Sequence, residues 1–145
     1  MKIIIKNLQK KVPISRQTRR NIVKAIAKVF VLGPLRMKKS EITVCVIDDS
    51  AIRQLNKKFL NKDQTTDVLA FDVSSCGKPA ADIAISADTA VLNARIYKTS
   101  PAYEMCLYAA HAALHLLGYN DSTKKGFKEM ENISLRLLSR LNIKP

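Results

Sequence analysis

The chain has two histidines, His111 and His115, four positions apart. On a helix that spacing sends both imidazoles out of one face, where two ring nitrogens can share a divalent cation. The segment Gly118-Tyr119-Asn120-Asp121 follows. Gly118 is a natural helix terminator, and a chain that folds back there brings Asp121 toward the same ion. Two imidazoles and a carboxylate with a fourth position open make a catalytic zinc centre able to activate water. Two plainer readings stand beside it. The histidines can be core residues satisfied by backbone carbonyls, and Asp121 can be the N-cap of the next helix. The metal reading is preferred because the pair lies on an apolar helix, beside a turn that supplies a further ligand.

The element that must position the pair is a helix over residues 101–117. Ser100-Pro101 supplies a capping hydroxyl and a proline at the first helical position. The segment is apolar almost all round, so it belongs in the middle of the domain. Its polar groups then need partners, because burying one without a partner costs roughly 2–7 kcal/mol. Those groups are Glu104, His111 and His115, with Tyr108 as an amphipathic fourth. Glu104, His111 and His115 fall within roughly 40° of one another, so the buried helix carries one polar stripe. Glu104 is read as a side chain that orients a histidine rather than as a general base.

Around this helix the pattern predicts a mixed α/β domain. Strands are expected at Lys2–Asn7, Ile42–Ile47, Val68–Val73 and Asp82–Ser86. Helices are expected from Ser15 to Val31, stopped by Gly33 and Pro34; after Asp48-Asp49-Ser50 to Leu60; from Ser86 or Asp88 to Tyr97; and over Thr123–Leu141. Strands alternating with helices imply a sheet packed by helices, α/β (α+β) in class, with an order that spacing does not reveal. On the first helix Arg16, Arg20, Lys24 and Lys28 recur every fourth residue. That stripe is either a phosphate-facing surface or an ordinary solvated face.

Composition narrows the partners. The 145 residues suit a single domain over 1–145, and 47% apolar with 26% charged suits a packed core. No apolar run approaches the roughly 20 residues that a membrane-spanning helix needs. The N-terminal apolar run is too short for a secretory signal, so secretion is not expected. Lysine and arginine outnumber acids by 25 to 12, a formal charge of +13. Such an excess points to a polyanion: nucleic acid first, an anionic membrane surface second. Three cysteines without CxxC spacing fit a reducing compartment, with Cys45 and Cys106 as small core residues.

With these motifs in place, the chain resembles the YbeY family of zinc-dependent endoribonucleases. The family signature HGxLHLxGYDH is matched by His111-Ala112-Ala113-Leu114-His115-Leu116-Leu117-Gly118-Tyr119-Asn120-Asp121. An asparagine followed by TDVLSF is matched by Asn56 and Thr66-Asp67-Val68-Leu69-Ala70-Phe71. GDIxIS is matched by Ala81-Asp82-Ile83-Ala84-Ile85-Ser86, and a glutamate upstream of the histidines by Glu104. The resemblance implies a mixed, mainly four-stranded sheet packed by helices, with the histidine helix at its heart. It also implies one zinc ion per chain on His111, His115 and Asp121, and metal-dependent cleavage of single-stranded RNA. The role it implies is maturation of the small-subunit rRNA 3′ end and ribosome quality control. The resemblance further implies the small ribosomal subunit as partner and a cytoplasmic location, in bacteria or in organelles of bacterial descent.

Three departures qualify that picture. Asp121 stands where the family has a third histidine; being anionic, it weakens activation of a bound water and favours a harder ion such as manganese. Leu60 replaces an arginine thought to contact phosphate, with Arg53 and Lys62 as possible stand-ins. Ala70, Ala81 and Ala112 replace small residues of the motifs. A metalloprotease would need a glutamate directly after His111, where this chain has Ala112. A non-catalytic RNA- or ribosome-binding module with a structural or vestigial metal site is the remaining alternative.

Overall fold

The computed structural model describes residues 1–33 and 39–145. Pro34, half of the expected stop after the first helix, lies outside the described residues. In chain order the elements are β1 (Lys2–Asn7), α1 (Arg16–Val31), β2 (Glu41–Ile47), α2 (Asp49–Leu60), β3 (Val68–Asp72), β4 (Ala80–Ser86), α3 (Ala87–Tyr97), α4 (Pro101–Leu116) and α5 (Lys124–Arg140). The strands form one mixed sheet in the order β1-β2-β4-β3. β1, β2 and β4 run parallel, and β3 lies antiparallel to β4.

Period-2 alternation divides the sheet between two helical layers. Val44 pairs with Ile83 and Val46 with Ile85, and all four are buried on the face that carries the main core. Ile47, Leu69 and Ala84 join Ile52 of α2 in a smaller cluster. The main core includes Ile22, Ile26 and Phe30 of α1, Leu114 of α4 and Met130 of α5.

Helix α4 is the hub. It packs against α1, α3 and α5 and against strands β3 and β4. This is the physical reason it is apolar on every side: no face is left for water except where the chemistry-bearing residues stand. Each helix starts at a residue able to cap it. Ser15, Asp48, Ser86, Ser100 and Thr123 each accept from the backbone N–H three residues on. The last of these decides a point left open by the sequence: Thr123 caps α5, so Asp121 has no capping duty there. No helix among the described residues is long and apolar enough to cross a membrane.

Candidate functional site

The site grows from the C-terminal end of α4. Gly118 follows the helix with φ of +95°, a conformation that side chains other than glycine rarely take. Its N–H donates to the His115 carbonyl (2.9 Å), and the Tyr119 N–H donates to the Leu114 carbonyl (3.1 Å). Together these bonds close a Schellman turn. The turn has two consequences for the histidines. It points the Tyr119 carbonyl back at His115, and it returns the chain so that Asp121 faces both rings.

His115 Nδ1 lies 3.1 Å from the Tyr119 carbonyl oxygen. A carbonyl only accepts, so Nδ1 carries the hydrogen and donates it, and the Nε2 lone pair is left for another partner. What Nε2 meets is Asp121 Oδ2 at 3.4 Å. The same oxygen lies 3.3 Å from His111 Nε2. The two rings stand edge to face with centroids 4.9 Å apart. One ligand atom from each of the three residues fits within 4.8 Å. In the tautomer that leaves Nε2 unprotonated, His115 aims a lone pair at a carboxylate. That arrangement needs a proton or a cation between the two. An imidazole held through its other nitrogen, converging with a second imidazole and a carboxylate, is a donor set suited to a divalent ion.

Charge at the site follows the same geometry. Burial pushes the Asp121 carboxyl up, but the His111 hydrogen bond and the nearby His115 and His111 charges win and hold it below the usual carboxylate range. Both imidazoles are partly buried, 18% and 34% exposed against 38% for Asp121, so the triad opens to solvent at the acid.

The triad stands on the wall of a cleft of about 560 Å³ between the start of β3 and helices α3, α4 and α5. Asp67 belongs to that wall. Its side chain accepts from Thr66 Oγ1 and from the Val68 N–H, and its carbonyl accepts from the Ser86 N–H. Asn56 is buried in α2 and donates from Nδ2 to the Gln64 carbonyl, fastening the loop that leads to Thr66 and Asp67. A shallower depression adjoins the cleft at Asp121, and Lys124, Phe127 and Lys128 help to line it.

Glu104 departs from its expected part. It is buried in the same cleft, but it accepts a hydrogen bond from Thr99 Oγ1 at 2.5 Å and bonds to neither histidine. The group that orients His115 is the Tyr119 carbonyl. A backbone carbonyl has no signature in a sequence; only the glycine that aims it was readable. The basic candidates also lie apart from the triad. Arg16, Arg20, Lys24 and Lys28 form an exposed face of α1, and none lines the cleft. Arg53 is engaged by Asp63 at 2.7 Å, and Lys62 is exposed just past α2. Leu60 is 49% exposed at the end of that helix. Lys124 and Lys128, beside Asp121, were not singled out; their i, i+4 spacing at the start of α5 was the available signal.

Comparison with known proteins agrees with this architecture. The profile of the family described as Endoribonuclease YbeY matches residues 4–142. Among curated proteins, the Endoribonuclease YbeY of Elusimicrobium minutum is 36% identical over 115 residues, covering 76% of this chain and 80% of that protein. That of Aquifex aeolicus is 35% identical over 132 residues, covering 86% and 87%. The solution structure of a Thermotoga maritima protein superposes with a TM-score of 0.61, covering 97% of this chain and 91% of that one. At 21% identity that likeness speaks to the fold.

Proposed function

Because the chain belongs to the endoribonuclease YbeY family, we propose that it is a metal-dependent endonuclease of single-stranded RNA, built as one domain over residues 1–145. His111 Nε2, His115 Nε2 and Asp121 Oδ2 would hold one zinc ion, with manganese an alternative that the carboxylate admits. Such an ion supplies a Lewis acid for a phosphate oxygen and a lowered pKa for a bound water. The observation that carries the reading is the Tyr119 carbonyl on His115 Nδ1, which leaves Nε2 facing Asp121 and His111 at the wall of a cleft.

The chain's own residues do the rest. The Schellman turn at Gly118 fixes one imidazole tautomer before any ligand arrives, so the site needs little reorganisation. Lys124 and Lys128, beside Asp121, are placed to take backbone phosphates. A formal charge of +13 supports a polyanionic partner, with affinity that falls steeply as salt rises. The family resemblance extends the proposal to a biological role. It gives the 3′ end of small-subunit rRNA as substrate, the small ribosomal subunit as partner, ribosome quality control as purpose and the cytoplasm as location.

A second reading, a non-catalytic RNA-binding module, rests on Asp121 where the family has a third histidine and on the exposed Leu60 where the family has an arginine. Cleavage of a single-stranded RNA by the chain, by His115→Ala and by the chain stripped with a chelator separates the two. The nuclease reading expects cleavage that chelation abolishes, added metal restores and His115→Ala loses by at least about 100-fold, the scale of a lost metal-site contribution. Metal bound without cleavage favours the binding module. Cleavage surviving both treatments refutes the assignment of this site.

A further inference from the structure

The cleft beside the triad has a chemistry unlike that of a phosphate groove. Asp67, Glu104, Asp121 and Glu131 all line it, with no cation among the described lining residues. A phosphate would meet repulsion there. The rest of the lining mixes uncharged polar side chains with apolar and aromatic ones, including Tyr97 of α3 and Phe127 of α5, which are 66% and 50% exposed. Exposed aromatic rings on the walls of a cleft are stacking platforms for flat, uncharged rings. The volume lies in the roughly 300–1,000 Å³ range of small-molecule sites.

One buried group points to what belongs inside. Ser134 of α5 lines the cleft, is fully buried, and has no hydrogen-bond partner for its hydroxyl. A buried hydroxyl without a partner is costly, and a ligand in the cleft would satisfy it. Two further groups of the same lining offer acceptors. Asn93 Nδ2 donates to the Tyr108 hydroxyl at 2.8 Å, leaving the Asn93 carbonyl oxygen to accept. Glu104 adds a carboxylate.

Resting on the RNA reading above, we propose that this cleft is a nucleobase subsite: it takes one unpaired base bearing an exocyclic amine, stacked on Tyr97 or Phe127 and read by Ser134, Asn93 and Glu104. Guanine, adenine and cytosine each offer an amine to these acceptors. Uracil presents two carbonyl oxygens and a single N–H, so it faces the carboxylates less favourably. Lys124 and Lys128, in the depression that shares Asp121 and Phe127 with the cleft, would then separate backbone contacts from base selection.

The test is an NMR titration of the full chain with guanosine, adenosine, cytidine, uridine and ribose 5-phosphate. The three amine-bearing nucleosides are expected to shift signals of Asn93 and Ser134 and to bind at least about five-fold tighter than uridine, with ribose 5-phosphate silent in the cleft. Ser134→Ala is expected to weaken the best nucleoside about five-fold. Tyr97→Ala combined with Phe127→Ala, both at exposed positions, is expected to weaken it about ten-fold. Equal binding of uridine, shifts confined to other surfaces, or no saturable binding would overturn the subsite. RNA cleavage by the same preparation keeps the two ideas apart. Cleavage without nucleoside selectivity sinks only the subsite; selective nucleoside binding without cleavage sinks the nuclease and leaves the subsite standing.

Discussion

Gly118→Ala is the sharpest probe of how the fold builds the site. A methyl group at this position would meet nothing within 4 Å, so the substitution has no steric cost. What it does cost is backbone energy, because Gly118 sits at φ +95°. For an alanine held in the left-handed region that is about 1–2 kcal/mol. For a chain of this length the melting temperature should then drop by roughly 3–8 °C. The second effect is chemical. Relaxing φ at residue 118 rotates the following peptide and carries the Tyr119 carbonyl away from His115 Nδ1, 3.1 Å away in the intact turn. Loss of a group that orients a metal-binding histidine typically costs 10–100-fold in metal affinity, and about that loss is expected. Circular dichroism melting reports the first effect. Competition with a chelating dye for zinc and manganese reports the second. Gly118→Asn, which tolerates the left-handed region better, should fall between wild type and alanine in both. A lower melting temperature with unchanged metal affinity would refute the reasoning, since it would show that His115 is held by something other than the turn.

Other outcomes follow from the same contacts. In Gly126→Ala the new methyl would lie 2.1 Å from the Asn120 carbonyl oxygen, so the loop bearing Asp121 must shift; metal affinity should fall by at least about ten-fold and the melting temperature should fall with it. Asp88 is held below the usual carboxylate range, chiefly by the Asp49 N–H and also by Lys11, against burial. Its stabilising charge is therefore present above the ordinary aspartate value and is lost as pH falls through the lower folded value. Asp88→Asn should cost about 1 kcal/mol at neutral pH in urea unfolding and nothing once both forms are neutral in strong acid. Burial pushes the Cys106 thiol up to about 12, whereas Cys76 is exposed. A thiol reagent at neutral pH should therefore modify Cys76 at once and Cys106 only on unfolding, read by mass spectrometry.

Much of the scaffold was legible because its signals are local. Ser15, Asp48 and Ser100 each cap the helix they were expected to start, and Gly118 ends α4. The apolar girth of α4 placed it at the centre, since a helix apolar on all but one narrow stripe must be surrounded. The strand order β1-β2-β4-β3 was not legible, because pairing is decided by packing between distant segments rather than by spacing. The site divides the same way. His111 and His115 share a face by helical periodicity alone. That Asp121 meets them depends on the return of the chain after Gly118, and that Thr123 rather than Asp121 caps α5 depends on where that return ends. Glu104 lies on the same stripe, yet three-dimensional packing hands it to Thr99 instead of a histidine. The stripe of Arg16, Arg20, Lys24 and Lys28 was visible as a pattern, but a pattern on α1 does not say whether it faces the cleft beside the histidines.

The central claim is that His111, His115 and Asp121 are ligands of one divalent ion. X-ray absorption on the purified chain, with elemental analysis of the same sample, tests it most directly. The account predicts one equivalent of metal with two imidazole nitrogens and one carboxylate oxygen at roughly 2.0–2.2 Å, and loss of that metal in His115→Ala. A chain that takes up no divalent ion, or one whose ion keeps the same nitrogen shell after both histidines are replaced, would contradict it.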